Sequence, residues 1–525
     1  MATAPVRPRG LPRLPHGRVV SSGAVRAVVG LGALMALSAY LRMRSFGAAF
    51  WIDEGLSWGI SSHHFFSIPH VLRQDGSPPL YYMLLHIWMG LFGTSERVTH
   101  GLSLLFALLT IPVSFWAGKS LFSERAGWFA AVLFALNSYL TTYAQETRMY
   151  SLMVLLTLLA TAGFMHAFVF RRRRYLWLFG GATALMLYTH NWGAFFVAAS
   201  LVALAVLLAR AQSAERRALV KDAALGYGGA FLLFLPWIPT LLFQAKHTGS
   251  PWATVPSFGT FMKATSATLD GDRIAFLLLL GGGAGLVRMI ERRRGVEREA
   301  AISGLMLFVG TLLIAWLFSQ VSPAWAYRYF AVFVAPMLLI AGIGLSYARR
   351  LGMVALAIVV VLWLPFTAIK HKSVDRHVER VAAPALRAGD LVLVTHPEQV
   401  PVVNYYMAPG MKYATELGPV KDTGVADWID ALSRLRAATT RKDLLPLLDQ
   451  LKVGQHVLLM RPIIGPPSAW KAPWTKLVRV RSAQWARALS HDRQFKLVAR
   501  YPRLKHGYAP RGLRALLYTK VAARQ

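Results

Sequence analysis

The sequence has no cysteine and few acidic residues. Its 525 residues include 24 Asp plus Glu against 58 Lys plus Arg, and only 16% of the residues are charged. The absence of cysteine excludes disulfide bonds, thiolate metal sites and thiol catalysis, but it does not decide the compartment. Because acidic residues are scarce, each one that lies beside an apolar segment is a candidate for a specific role.

Long apolar segments dominate the first 370 residues, and 55% of the whole sequence is hydrophobic. Many of these segments approach the roughly 20 residues that a helix needs to cross a bilayer. We therefore predict an α-helical, polytopic membrane protein. Eleven spans are expected, at 23–44, 98–118, 126–143, 149–170, 175–190, 193–210, 223–243, 273–290, 300–319, 329–347 and 351–369.

The segment "PPLYYMLLHIWMGLFG", 78–93, is left out of that count. It is short for a span, and it opens on a Pro pair. If it does not cross the membrane, the basic clusters around 119–125, 171–174 and 288–298 share a side with the basic N-terminus; if it crosses, they move to the opposite side. The positive-inside bias therefore favours a helix that lies along the membrane, in an extracytoplasmic loop over 45–97.

This topology divides the chain into three parts. Residues 1–22 form a basic cytoplasmic tail, 23–369 form the transmembrane domain, and 370–525 form an extracytoplasmic domain. Strand-like runs such as "DLVLVTH" and "HVLLM", with helical patterns between them, predict that this last part is a small α/β domain. The basic clusters suit membrane lipids at a cell (plasma) membrane, and no nucleic-acid-binding module is present.

Two acidic sites lie next to apolar segments on the predicted extracytoplasmic side. Asp53 and Glu54 follow the first span, and Glu146 stands in "QETR" between the third and fourth spans, two residues before Arg148. Carboxylates that meet in one cavity could divide base and orienting roles. The alternative is structural: Asp53 caps a short helix, and Glu146 pairs with Arg148 or a neighbouring span.

The N-terminal third resembles membrane glycosyltransferases of the GT-C type, in particular the protein O-mannosyltransferase, aminoarabinose transferase and RgtA/B/C/D-like group. The resemblance is carried by "DE" at 53–54, "DGSPPLYYMLLHIWMGLFGTSE" at 75–96 and "YAQETRMYSL" at 143–152, with a further similarity in "YRYFAVFVAPMLLIAG" at 327–342. Many relatives have His or Lys directly before the Pro pair, where this chain has Ser77.

That resemblance implies a GT-C fold and an inverting transfer of sugar from a polyprenyl-phosphate donor to a protein, lipid or cell-envelope glycan. It implies that Asp53, helped by Glu54, is the base and that Glu146 is the second acid. Substrate or lipid-phosphate binding is assigned to four residues: Arg148, Arg328, Tyr81 and His190. Arginine suits a departing phosphate; the alternative for Arg328 is an interfacial anchor between two tyrosines.

A metal site is the less favoured interpretation of the histidines at 63, 64 and 70, because no carboxylate joins them at helical spacing. No cofactor is encoded by a clear pattern, so a divalent cation stays an open alternative. Two competing functions share the lipid-linked substrate class: a multi-pass transporter or flippase, and a glycan polymerase or ligase of another architecture. Acidic residues gathered at one membrane face, rather than at mid-depth, favour the transferase.

Overall fold

The computed structural model describes residues 22–292, 295–365, 372–373, 375–463, 471–501 and 512–523. All but the last residue of the predicted tail, 1–22, lies outside these ranges. Helices fill the described chain as far as Trp363, and a mixed sheet with flanking helices follows. The prediction of a polytopic helical protein with a small C-terminal α/β region is confirmed.

The helical part contains twenty α-helices in the described residues. They are Ser22–Arg42, Ile52–Ser61, Ile68–Asp75, Leu80–Phe92, Glu96–Leu121, Glu124–Leu136, Ser138–Tyr143, Tyr150–Phe164, Leu176–Thr189, Gly193–Arg210, Ser213–Phe234, Ile238–His247, Phe258–Met262, Ala264–Thr268, Asp272–Leu278, Ala284–Arg292, Val296–Leu305, Thr311–Val321, Ala331–Tyr347 and Arg350–Trp363.

Eight continuous helical segments of the described chain are long and apolar enough to cross a membrane. They coincide with eight of the eleven predicted spans. The other three predictions, 126–143, 175–190 and 351–369, fall on helices of 13, 14 and 14 residues. The segment after the Pro pair forms a helix of 13 residues, Leu80–Phe92, which is the short helix that the sequence predicts.

The connections rich in arginine lie together at one face of the helical part. Their contacts are Arg125 Nη2 to the Arg349 carbonyl oxygen (2.8 Å), Arg171 to Glu215 (2.8 Å) and Arg172 Nη1 to the Ser120 carbonyl oxygen (3.2 Å). These contacts join loops that the charge bias assigns to a common side. Segment 45–97 packs instead against the C-terminal α/β region, at the other face.

The C-terminal sheet has six strands in the order β3-β2-β1-β4-β6-β5. The strands are β1 Leu391–Val394, β2 Lys412–Thr415, β3 Gly418–Pro419, β4 His456–Pro462, β5 Phe495–Tyr501 and β6 Leu513–Lys520. β1 runs parallel to β2 and β4, and the other pairs are antiparallel. The helices beside it are Asp375–Ala382, Val400–Tyr406, Ala431–Ala437, Leu445–Asp449 and Pro473–His491. Apolar side chains cover both faces, so the parallel centre of the sheet is buried.

Two glycines let helix Ile52–Ser61 approach the C-terminal region closely. A Cβ atom on Gly55 would lie 2.5 Å from Cβ of Val402, and one on Gly59 would overlap the carbonyl oxygen of Gly424. Glycines four residues apart lie on one face of a helix, where they permit close backbone contact. This contact fixes the helix that carries Asp53 against the C-terminal α/β region.

Gly59→Ala should therefore destabilise the protein, because the added methyl group has no space at the contact. We expect the free energy of unfolding to fall by about 1–3 kcal/mol, the usual cost of overpacking. Thermal unfolding of the purified protein in detergent measures the change. Gly90→Ala is the matched control, since a Cβ atom there meets nothing within 4 Å. Equal melting temperatures for the two variants would contradict the packing described.

Candidate active site

The acidic pair begins helix Ile52–Ser61, and the helix separates the two carboxylates. Glu54 accepts a hydrogen bond from the backbone N–H of Trp51 (3.3 Å), so Glu54 rather than Asp53 closes the first turn. The alternative in which Asp53 is the N-cap residue is wrong, because the helix begins at Ile52 and its N-cap residue is Trp51. The Asp53 side chain keeps 13% exposure, whereas Glu54 is fully buried.

Asp53 forms an ion pair with Arg328, whose Nε lies 3.2 Å from Oδ2 of Asp53. The guanidinium is surrounded by aromatic rings: its Cζ lies 4.8 Å from the ring centre of Trp252, 5.2 Å from Tyr329 and 5.9 Å from Trp51. Such stacking holds an arginine in place at a partly dry site. Two residues 275 positions apart in sequence, Asp53 and Arg328, are thus brought together as the sequence analysis expected of one site.

Arg148 approaches the same helix from the loop between two membrane helices. Its Nη1 donates to the Asp53 carbonyl oxygen (3.2 Å), to Oγ of Ser57 (3.1 Å) and to the Tyr82 hydroxyl (3.4 Å). The side chain is only 8% exposed. Arg328 therefore pairs with the carboxylate of Asp53, and Arg148 binds the backbone of the same residue.

Glu54 points away from this group into a buried cluster. Its Oε1 accepts hydrogen bonds from the backbone N–H of Thr147 (2.9 Å), from His100 Nε2 (2.7 Å) and from Lys372 Nζ (2.8 Å). Lys372 also donates to the carbonyl oxygen of Gln145. Each of these partners comes from a different part of the chain, so the carboxylate joins four segments.

The charge state of Glu54 follows from its partners. Burial alone would raise the pKa of Glu54, but the charges and hydrogen bonds of Lys372 and His100 lower it to about 2. The carboxylate is therefore ionised and fully partnered, with no exposed surface. We assign Glu54 a positioning role, which differs from the catalytic role that the resemblance implied.

Two other predicted site residues, Glu146 and Tyr81, are buried. Glu146 is 8% exposed, and its charge acts on the hydroxyl groups of Tyr139 and Tyr143. Its neighbour Thr147 donates its backbone N–H to Glu54 (2.9 Å). Tyr81 is fully buried, pairs with Oγ of Ser103 (3.1 Å) and lies within reach of the charges of Glu54 and Arg148.

His190 and Arg328 both contact the ring of Tyr329. The ring centre of His190 is 4.5 Å from that of Tyr329, and its Nδ1 accepts the backbone N–H of Trp192 (3.1 Å). Nδ1 is therefore unprotonated, and Nε2 can donate. His190 and Tyr329 both line a cavity of about 410 Å³.

The same cavity contains an acid that the sequence analysis did not select, Asp75. Burial raises its pKa above the ordinary value, hydrogen bonds from Ser77 and the charge of Arg148 lower it, and the charge of Asp53 raises it. Asp75 is the first residue of the "DGSPP" motif, so the motif could have identified it. It was not selected because it lies far along the sequence from Asp53 and Glu54.

The described residues contain no group of three or more His, Cys, Asp or Glu side chains placed to hold a metal ion. Of the three histidines in the first loop, His63 instead bonds Asp422 of the C-terminal region (2.9 Å). This hydrogen bond with Asp422 raises the pKa of His63.

Comparisons with known proteins bear on the fold. The family model for dolichyl-phosphate-mannose-protein mannosyltransferase matches residues 76–240. The crystal structure of ArnT from Cupriavidus metallidurans in the apo state superposes with a TM-score of 0.61 at 15% identity, over 96% of this chain and 100% of that one. The chain has the GT-C fold.

Further GT-C structures extend the likeness. ArnT from Cupriavidus metallidurans bound to undecaprenyl phosphate matches with a TM-score of 0.60 at 14% identity, over 96% of this chain and 100% of that one. Arabinofuranosyltransferase AftD from Mycobacteria matches with a TM-score of 0.53 at 16% identity, over 94% of this chain and 40% of AftD. No curated protein matches the sequence significantly. The predicted resemblance to GT-C proteins is confirmed.

Lys372→Met tests the buried cluster. Removing the ammonium leaves the Glu54 charge buried with too few partners, so the free energy of unfolding should fall by about 3–5 kcal/mol near pH 7. Adding Glu54→Gln should restore part of the loss, because no charge then remains to be compensated. Thermal unfolding in detergent measures both, and Lys412→Met, at an exposed lysine of β2, is the control.

The loss of stability caused by Lys372→Met should become smaller as the pH falls. In the wild type the pKa of Glu54 is about 2, below its ordinary value of 4.5, so its contribution is present above pH 4.5 and is lost as the pH falls toward 2. Without Lys372 the folded carboxyl binds its proton more tightly, so the difference between variant and wild type should narrow from pH 7 to 4. A difference that is constant over this range would refute the assignment.

Proposed function

We propose that the chain is a membrane glycosyltransferase that moves a sugar from a polyprenyl-phosphate donor to an acceptor hydroxyl on the extracytoplasmic side. The observation that carries the proposal is the Asp53 carboxylate paired with Arg328, next to Arg148 and beside the cavity that Asp75, His190 and Tyr329 line, in a GT-C fold. The matched ArnT structure contains undecaprenyl phosphate, and the matching family model describes a dolichyl-phosphate-mannose enzyme.

The two guanidinium groups beside the cavity suit a phosphate. Arg328 pairs with Asp53, while Arg148 bonds the Asp53 backbone and acts on the charge of Asp75. Each guanidinium carries five N–H donors, more than the contacts with Asp53 use. A departing polyprenyl phosphate gains negative charge as its bond to the sugar breaks, so arginines at this place stabilise the transition state more than the bound donor.

Asp53 has the role of general base in this proposal. It takes the proton of the acceptor hydroxyl while the acceptor oxygen bonds to the anomeric carbon, and the bond from that carbon to the phosphate oxygen breaks in the same step. One displacement inverts the anomeric configuration. Arg328, whose Nε lies 3.2 Å from Oδ2 of Asp53, holds this carboxylate in place.

The remaining residues assist from the surroundings. His190 Nε2 can donate a hydrogen bond into the cavity, where we place it as a substrate contact. Glu54 and Lys372 hold the helix that presents Asp53, and Glu146 supports the loop that carries Arg148. Protein, lipid and cell-envelope glycan all stay candidates for the acceptor, and the acceptor determines the biological role at the cell membrane.

Asp53→Asn should reduce transfer about 10²–10⁴-fold, the usual contribution of a general base. Transfer of radiolabelled sugar from synthetic polyprenyl-phosphate donors is measured in membranes that contain the variant. Asp430→Asn is the control, because this exposed aspartate pairs with His247 away from Asp53. Transfer by Asp53→Asn at the wild-type rate would refute the proposal, and donor crossing the bilayer without transfer would indicate a flippase instead.

Arg328→Lys should not restore what Arg328→Ala loses. Lysine keeps the charge but has neither the planar donors nor the flat surface that stacks between Trp252 and Tyr329. We expect both variants to lower kcat about 10²-fold or more, the loss seen when one stabilising donor is removed. Steady-state kinetics with the donor varied measure kcat and KM separately; a lysine variant with wild-type kcat would show that charge alone suffices.

A further inference from the structure

A second cavity, of about 440 Å³, lies between the C-terminal sheet and the first loop. Its lining includes Pro397 and Glu398 after β1, Thr415 at the end of β2, and Gln74 from the loop. The two sides are tied together by a hydrogen bond from the backbone N–H of Trp428 to the carbonyl oxygen of Gln74 (3.0 Å). The cavity is therefore built from both parts of the chain.

The position of the cavity in the sheet is one that binds ligands in many α/β proteins. β1 is parallel to β2 on one side and to β4 on the other, so the chain leaves β1 at the point where strand order reverses. Ligands of open α/β sheets bind outside the carboxyl ends of the strands, and the cavity lies at this end of β1 and β2, next to the crevice between β1 and β4. The residues after β1 and β2 form the wall of the cavity at this edge.

The chemistry of the lining favours hydroxyl groups. Glu398, Asp422 and Asp427 supply carboxylates, Lys421 and Arg434 supply N–H donors, and Thr415 and Gln74 add neutral polar atoms. Carboxylates accept hydrogen bonds, and the neighbouring hydroxyls of a sugar ring can both donate to one of them. Apolar side chains, Val400, Leu417 and Val420 among them, fill the spaces between and suit the C–H faces of a ring.

The cavity adjoins the proposed active site. Gln74 lines this cavity, and the next residue, Asp75, lines the cavity that contains His190 and Tyr329. His63, at the end of the helix that carries Asp53, bonds the lining residue Asp422. A molecule bound at the sheet edge is therefore separated from the cavity of His190 and Tyr329 by the end of helix Ile68–Asp75.

We propose that this second cavity binds an uncharged saccharide portion of the acceptor. The inference rests on the proposed function, since it gives that reaction an acceptor that is a glycan. The charges of the lining nearly balance, and Arg434 is paired with Asp427 (2.6 Å), so the cavity suits a neutral polar ligand better than a charged one.

Equilibrium dialysis of the full-length protein in detergent tests the proposal. The probes are radiolabelled mannotriose, maltotriose and arabinotriose, with trigalacturonic acid as the anionic comparison and a serine-containing hexapeptide as the protein-like one. We expect saturable binding of at least one neutral trisaccharide. Leu417→Trp, which fills the cavity, should weaken it about ten-fold or more, whereas Val498→Trp, on exposed β5, should change it less than about two-fold.

Several results would overturn the proposal. These are no binding of any neutral trisaccharide, binding of trigalacturonic acid or of the peptide at least as tight as theirs, or Leu417→Trp binding that equals wild type. Size-exclusion profiles and melting temperatures show whether the tryptophan variants fold. The assay contains no donor, so it reports on the cavity alone, whereas failure of the proposed reaction shows separately as transfer that survives Asp53→Asn.

Discussion

The buried carboxylate of Glu54 is the constraint on which the rest of the site depends. An ionised group without water is tolerated only when charges and hydrogen bonds replace its hydration. Here the replacements come from His100 in a membrane helix, from the backbone at Thr147 and from Lys372 after the last apolar helix. Satisfying one charge thus fixes the relative positions of these segments, and the neighbouring Asp53 inherits a defined direction.

Adjacent residues consequently serve opposite electrostatic purposes. Glu54 is neutralised inside the protein, so its charge is used to hold structure. Asp53 pairs with Arg328 beside a cavity, so its charge holds a guanidinium group at the site. One helical step of about 100° is enough to place the two carboxylates in such different surroundings, which answers why a chain poor in acids places two side by side.

Sequence patterns predicted the elements better than their contacts. Charge bias and segment length identified the short helix after the Pro pair, and apolar runs identified strands β1 and β4. Asp53 and Arg328 were selected because their motifs resemble known proteins. Lys372 could not be found this way, since it lies 318 residues from Glu54 and its surroundings have no periodic pattern. The spacing of Gly55 and Gly59 was visible, but its partner surface was not.

The lysine that completes the Glu54 cluster has a consequence for biosynthesis. Ribosomes make the helix with Asp53 early, and the apolar helices enter the membrane while Lys372 and the C-terminal sheet are still untranslated. Until those later residues arrive, Glu54 lacks its ammonium partner, and the glycine face of its helix has nothing to pack against. The helices therefore enter the membrane before the Glu54 cluster is complete. The cluster is completed only after the C-terminal part has been synthesised.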